Sequence, residues 1–336
     1  MSDQGAVLVT GGTGFLGAWC IVALLDSGYS VRTTVRDLAR GREVRDAVAA
    51  GTGRDIGNGL EVFAADLSHD EGWPGAVAGC DYVLHVASPF PAAQPKDPDE
   101  LIVPAREGAL RVLRASLDAG VKRIVLTSSV AAIRGGARSG TLTEDDWSDP
   151  DDTNLTPYAR SKTAAERAAW ELVRSEDATD RLAVVNPGAI IGPLLSDDPS
   201  YSLQGISRLL EGMPGVPRLG FSWVDVRDVA DLHVRAMTSP AAGGERFISV
   251  AQFLWMADVA AVLRERLGGR AAKVPTRNVP NFVVRGMALL DREARSVVSD
   301  LGKRVEYSAE KAKSRLGWST RPVEDTIVDC AESLIE

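Results

Sequence analysis

The stretch Val7-Leu8-Val9-Thr10-Gly11-Gly12-Thr13-Gly14-Phe15-Leu16-Gly17 decides how the rest of the chain is read. A short apolar run from Ala6 to Val9 enters a glycine turn, and a helix-period segment from Phe15 to Leu25 follows until Gly28 stops it. In such a strand–turn–helix one glycine permits the tight turn and another lets the backbone approach a pyrophosphate. The third lets the helix pack closely on the sheet. The helix start then offers free N–H groups and a positive dipole end to the anion. The spacing is Gly-x-x-Gly-x-x-Gly rather than Gly-x-Gly-x-x-Gly. A glycine turn without function is the bland reading. The strand before, the helix after and the position near residue 1 favour a dinucleotide site, with Thr10, Gly11, Gly14, Phe15, Leu16 and Gly17 as its contacts.

Working outward, the strand signal recurs at Val31–Val35, Leu60–Ala65, Tyr82–Val86, Arg123–Thr127 and Leu182–Asn186. Helical patterns lie between them at about Arg42–Ala50, Leu101–Ala119 and Tyr158–Val173. Strands alternating with helices predict parallel βαβ units: an α/β fold with a Rossmann-type doubly wound parallel sheet. After Gly192 the texture changes to Pro, Gly and Ser with a short helical stretch at Ile206–Leu210. A strand (Phe221–Val224), a helix (Val226–Met237) and another strand (Arg246–Val250) come next. From Phe253 the tail reads as helices broken by an extended piece at Lys273–Thr276. The expected organisation is a dinucleotide-binding domain over 1–192 and 221–250, with a smaller, discontinuous carboxy-terminal substrate lobe over 193–220 and 251–336.

Composition narrows the class. The 336 residues are 45% hydrophobic and 25% charged, ordinary for a globular protein. A net charge of -8 without a concentrated basic run argues against a nucleic-acid partner. Cys20, Cys80 and Cys330 are far apart, as are His69, His85 and His233, so neither a disulfide framework nor a metal site is expected. No apolar stretch is long enough to span a bilayer. The chain reaches its first strand too soon after Met1 for a signal peptide, so the cytoplasm is the expected location. The acidic stretch Glu144–Asp152 lacks the alternate spacing and central glycine of a calcium loop, so it reads as a solvated loop.

The end of the second strand tells cofactors apart. An acid there holds the ribose hydroxyls of NAD, whereas a basic residue accommodates the phosphate of NADP. Here Val35 is followed at once by Arg36, which suits a 2′-phosphate by charge and by stacking. NADP is therefore favoured over NAD, with Asp37 one position later as the dissenting residue. Arg32 could assist, but a solvated strand residue explains it equally well. Asp66 and Leu67 after the third strand, and Val86, Ala87 and Ser88 after the fourth, are expected beside the cofactor; an ordinary strand-end turn is their alternative.

Tyr158 and Lys162 are four apart on a helix and so share one face. A phenol of ordinary pKa near about 10 exchanges protons poorly at neutral pH, and a cation beside it favours the phenolate. Ser129, in Thr127-Ser128-Ser129 at the end of the fifth strand, supplies a hydroxyl that could polarise a carbonyl. A Tyr-x-x-x-Lys alone is weak; the order of glycine loop, strand-end serine, tyrosine and lysine lifts it.

With these pieces in order the chain resembles an extended short-chain dehydrogenase/reductase, of the dihydroflavonol reductase-like branch that includes aldehyde and ketone reductases. The resemblance rests on TGGTGFLG, Val35-Arg36-Asp37, Ala65-Asp66-Leu67, His85-Val86-Ala87-Ser88-Pro89, Thr127-Ser128-Ser129 and Tyr158-x-x-Ser161-Lys162. Asn186-Pro187, Ile191-Gly192-Pro193, Val224-Asp225-Val226-Arg227-Asp228-Val229-Ala230 and the tail KAKSRLGW (Lys311–Trp318) complete it. It implies that Tyr158 is the acid, Lys162 its modifier and ribose anchor, and Ser129 the carbonyl binder, with Ser128 left open as the acting serine. It also implies Arg36 at the NADP phosphate; Thr127, Pro187 and Gly188 join the expected cofactor contacts. Val130-Ala131-Ala132 stands where plant members have Ala-Gly-Thr, so flavonoid-binding features do not carry over. Family members suggest that Trp147 folds inward near the site's rim.

The expected activity is NADPH-dependent reduction of an aldehyde or ketone, in a monomer or homodimer acting on a small molecule. Phe90, Ser129, Ile133, Tyr158 and Tyr201 are the expected substrate contacts. The rivals are an NAD-dependent sugar-nucleotide epimerase or dehydratase and a 3β-hydroxysteroid dehydrogenase. Epimerases carry an acid where this chain has Val35 and Arg36, and dehydratases an Asp-Glu pair where it has Ser129-Val130. A nucleotide sensor without chemistry would typically lack the Tyr/Lys pair.

Overall fold

The glycine loop joins β1 (Ala6–Val9) to α1 (Phe15–Asp26), and the chain returns as β2 (Ser30–Val35). The structure is a computed structural model that describes residues 4–89, 97–134, 140–152, 155–196, 203–288 and 298–335. The winding continues through α2 (Gly41–Thr52), β3 (Leu60–Ala64), α3 (Trp73–Val77), β4 (Tyr82–His85), α4 (Asp99–Asp118) and β5 (Arg123–Thr127). A short β6 (Thr141–Leu142) precedes α5 (Pro157–Ser175), which carries the Tyr/Lys pair. Beyond it come β7 (Leu182–Pro187), β8 (Ala189–Ile191), α6 (Gln204–Glu211), β9 (Val216–Pro217), β10 (Gly220–Asp225), α7 (Val226–Thr238) and β11 (Glu245–Ser249). The remainder is β12 (Gln252–Trp255), α8 (Met256–Leu267), β13 (Asn278–Val279), α9 (Asn281–Met287), β14 (Glu306–Tyr307), α10 (Glu310–Leu316) and α11 (Val323–Ile335).

Seven strands pair in the order β3-β2-β1-β4-β5-β7-β11, every pair parallel. This is the doubly wound sheet expected. Alternate residues of each strand feed opposite layers. Val7, Val9 and Val125 meet α1 and α7 residues such as Ile21, Leu24 and Val229 on one face. Leu8, Ile124 and Leu126 meet Leu113 and Trp170 on the other. Helices α4 and α5 pack on each other through Ala105, Ala109 and Ala165. The strand order reverses between β1 and β4, which opens a crevice at the carboxyl ends of the strands.

A second sheet holds β8, β10 and β12, with β10 parallel to β8 and antiparallel to β12. The strand expected at 221–224 lies here rather than in the large sheet. The tail expected to turn helical at Phe253 begins instead with β12. Gly220 faces Trp255 across that pair, and a Cβ at Gly220 would lie 2.2 Å from Phe253 Cζ, so only glycine lets the two aromatics close over it. The extended piece expected at 273–276 sits slightly later, as β13, beside β9. A separate core, with Ile206, Leu209, Val259, Leu263 and Ile327, backs this sheet. Among the described residues no helix is long and apolar enough to cross a membrane.

Candidate active site

A cavity of about 1760 Å³ runs from the ends of β1 and β2, past the ends of β4, β5 and β7, to the second sheet. Ordinary small-molecule pockets span roughly 300–1,000 Å³, so this one has room for two molecules end to end. Gly11, Gly14, Phe15, Leu16 and Gly17 line its first end. Gly11 takes φ +75, a left-handed conformation, and a Cβ at Gly17 would lie 2.3 Å from the Gly11 carbonyl oxygen. At Gly12 a Cβ would meet Thr33 Oγ1 at 2.4 Å. The loop is thus packed so closely on itself and on β2 that only glycine fits at Gly12 and Gly17. Helix α1 begins beyond it without a side-chain cap or an acid in its first turn. Its first N–H groups have no intrahelical acceptor, and Gly14, Phe15, Leu16 and Gly17, which carry them, line the cavity. These features fit a pyrophosphate.

Thr10 differs from expectation. It is fully buried behind the cavity wall, where its hydroxyl accepts from Ala87 N at 2.9 Å and pairs with His85 Nδ1 at 2.9 Å. It locks the end of β1 to the end of β4 and so supports the wall indirectly. Arg36, Asp66, Leu67, Val86, Ala87, Ser88, Thr127, Pro187 and Gly188 all reach the cavity. Ser68 donates to Asp66 from its backbone at 2.8 Å and its hydroxyl at 2.6 Å, which holds the carboxyl below its usual range. A Cβ at Gly188 would lie 2.1 Å from the Ser222 carbonyl, so the strand crossing there requires glycine. Arg40 also lines the wall and forms a two-pronged pair with Glu43 at 2.8 and 2.9 Å. Sequence reading passed over it, although its place four residues after Arg36 was the available signal. Arg32 turns away instead, to Glu61 and the Ala78 carbonyl.

Ser129, Tyr158 and Lys162 meet at the middle of the cavity. Thr156 caps α5, accepting from Ala159 N at 3.2 Å, and this starts the helix just before Tyr158. The Ser129 hydroxyl accepts from Ala131 N at 3.1 Å and hydrogen-bonds to the Tyr158 phenol. Burial pushes the phenol above its ordinary value and the Ser129 bond opposes this. Lys162, 8% exposed, donates from Nζ to the Thr127 carbonyl at 3.3 Å. Burial pulls the Lys162 ammonium down to about 8, while Glu166 pushes the other way. Lys162 Nζ is thus turned to the β5 carbonyl one helical turn from Tyr158. Ser128 donates to Glu166 Oε2 at 2.5 Å, which leaves Ser129 as the serine hydroxyl bonded to Tyr158.

Toward the second sheet the wall becomes apolar, with Leu142, Met213, Phe221, Trp223, Met256 and Val284, and cationic at Arg134 and Arg208. Of the expected substrate contacts, Ser129 and Tyr158 are in this wall, whereas Ile133 is not. It is fully buried in the sheet's core because the turn at Val130–Ala132 directs it inward. Phe90 and Tyr201 lie outside the described residues. Trp147 folds inward but away from the cavity, with Arg246 3.6 Å over its ring. Phe221 and Trp223 of the second sheet could be read from the sequence as pocket lining or as core, whereas Met213, Met256 and Val284 carried no local signal, since an apolar residue reads the same whether it faces core or ligand.

Comparison with known proteins is consistent with this geometry. Residues 7–251 match the model of the NAD dependent epimerase/dehydratase family. Cinnamoyl-CoA reductase CAD2 of Medicago truncatula is 33% identical over 339 residues, covering 98% of this chain and 95% of that protein. An anthocyanidin reductase of Vitis vinifera is 34% identical over 286 residues, 80% of this chain and 82% of its own. The crystal structure of the yeast methylglyoxal/isovaleraldehyde reductase Gre2 complexed with NADPH superposes with a TM-score of 0.81 at 26% identity, covering 98% of both chains. The chain belongs to the NAD dependent epimerase/dehydratase family, the extended short-chain dehydrogenases/reductases.

Proposed function

We propose that the protein is an NADPH-dependent carbonyl reductase. One observation carries the reading: Ser129, Tyr158 and Lys162 line one continuous cavity with the glycine loop and Arg36. NADPH bound along that loop supplies the hydride. Ser129 donates to the carbonyl oxygen of an aldehyde or ketone and holds it within reach of Tyr158. A phenol kept above its ordinary pKa is fully protonated at neutral pH, the state from which it gives its proton to the emerging alkoxide. Lys162, as an ammonium one helical turn away, favours the phenolate left behind. Arg36 rather than an acid faces the cavity at the end of β2, which supports NADPH over NADH and weighs against an epimerase. The reductase relatives and the NADPH complex of Gre2 point the same way.

The test is a spectrophotometric screen of NADPH and NADH oxidation against aldehydes, ketones, keto esters and steroids. Tyr158→Phe is expected to lower turnover by roughly 10²–10⁴-fold and to leave NADPH affinity within about twofold. Retained turnover in that variant would remove Tyr158 from the chemistry.

A further inference from the structure

Glu166 follows Lys162 by one helical turn on α5 and is fully buried. A buried carboxylate is costly unless donors surround it, and four do. Ser128 Oγ donates to Oε2 at 2.5 Å and Asn186 Nδ2 to the same oxygen at 2.9 Å. Arg246 Nε donates to Oε1 at 2.6 Å and Trp170 Nε1 at 3.4 Å. Asn186 Nδ2 also donates to the Ser129 carbonyl at 3.2 Å. Arg246 is clamped in turn by the Trp147 ring and by the Glu144 and Asp146 carbonyls.

A purely structural ion pair accounts for Glu166 and Arg246, although apolar residues of the same volume are often as stable. It does not account for the two bonds that hold the strand-end segment on either side of Ser129. Nor does it account for the negative charge one turn from a buried lysine, where i and i+4 side chains are neighbours.

We propose that Glu166 is a positioning residue with two tasks. Through Ser128 and Asn186 it fixes the end of β5 so that Ser129 meets Tyr158, and its charge keeps the buried Lys162 an ammonium. The proposal rests on the reductase reading, in which Ser129, Tyr158 and Lys162 are the reacting set.

The sign of the effect follows from the groups around Lys162. Glu166 and Tyr158 come from its own helix, His85 from β4, and the Thr127 carbonyl from β5. His233 of α7 bonds Thr127 Oγ1 at 2.8 Å, and Arg246 of β11 is bound to Glu166. Burial holds His85 down to about 3 and His233 to about 4, so neither histidine titrates between pH 6 and 10. Glu166 is the group that opposes the burial of Lys162. Neutralising it leaves Arg246 as an added cation nearby, and Lys162 must lose its proton at lower pH.

The experiment follows Lys162 directly, by competitive acetylation with acetic anhydride from pH 6 to 10, read by mass spectrometry on the full-length protein. The pH profile of kcat/KM is recorded in parallel. Glu166→Gln is expected to move the Lys162 titration, and the alkaline limb of the profile, down by about one pH unit. Glu166→Asp keeps the charge but shortens the reach, and Ser128→Ala keeps the charge but loses its bond. Both are expected to leave the titration in place and lower kcat roughly tenfold or more. An unmoved titration in E166Q overturns the charge task whatever the loss of activity, because a structural defect lowers turnover at every pH. Should E166Q fail to fold by circular dichroism, E166D and S128A decide: unchanged kcat in both, or a displaced titration in either, overturns the proposal. A wild-type protein without carbonyl turnover would sink the reductase reading alone, and the acetylation measurement would still decide the coupling.

Discussion

Arg36 shows how far a single residue can be read. Its position after β2 marked it as a phosphate ligand in the sequence, and the structure places it in the cavity wall beside Arg40. A charge-assisted bond to a phosphate contributes about 1.5–3 kcal/mol. Arg36→Ala should therefore weaken NADPH binding roughly 10- to 100-fold and leave NADH almost unaffected, as read by fluorescence titration of both cofactors. An equal loss for both would mean that Arg36 serves the fold or the adenine instead. Tyr158 and Lys162 were legible because they lie four apart on one helix, and Ser129 because it closes an apolar strand. Glu166 was not, although it lies only four residues from Lys162. Its meaning comes from Ser128, Asn186 and Arg246, which approach from three other strands or strand ends and cannot be paired with it from the chain alone.

At the scale of elements, the central parallel strands were legible because burial on both faces makes them short apolar runs between turn residues, whereas β2 and the edge strand β3 carry Arg32, Thr33, Thr34 and Glu61 among their apolar residues. The second sheet was harder. Strand β12 alternates Phe253 and Trp255 with Gln252 and Leu254, but this period is evident only beside its partner β10. Helix α7 illustrates a device that the sequence motif concealed. Asp225 is 1% exposed and caps α7 by accepting from Arg227 N at 2.7 Å. It also accepts from the Arg227 side chain at 2.6 Å and from Thr326 Oγ1 on α11 at 2.9 Å. Arg227 reaches on to Asp329, also on α11. One carboxylate therefore starts α7 and fastens the last helix to it. Asp225→Ala should cost about 2–4 kcal/mol, the sum of a lost cap, a lost hydrogen bond and a cation left with one partner fewer. Urea unfolding should show this as a lower midpoint at unchanged slope. A loss below about 0.5 kcal/mol would show that water replaces those bonds at no cost.

Over the whole molecule, the site's framework depends on two histidines that are buried and neutral. His85 ties the ends of β1 and β4 through Thr10, and His233 joins Thr127 Oγ1 at 2.8 Å to the Val229 carbonyl at 2.8 Å. Burial depresses both, His85 to about 3 and His233 to about 4, against an ordinary value of 6.5. The unfolded chain thus binds more protons than the folded one between those values and pH 6.5. Their contribution is complete above pH 6.5 and falls away as the pH drops toward the folded values. Lowering the pH from 7 to 5 should remove about 2 kcal/mol for each histidine. Glu144 and Asp228 work in the opposite sense, since burial raises both and their protonation favours the folded state, but at a lower pH. The histidine contribution is isolated by comparing urea unfolding of the wild type and His233→Gln at pH 7 and pH 5. Glutamine can bond both Thr127 and Val229 but does not titrate. The variant should lose about 2 kcal/mol less than the wild type over that interval. Equal losses would place the acid sensitivity elsewhere. Because the Thr127 carbonyl also accepts from Lys162 Nζ, the acid sensitivity of His233 falls on the strand end that holds Lys162.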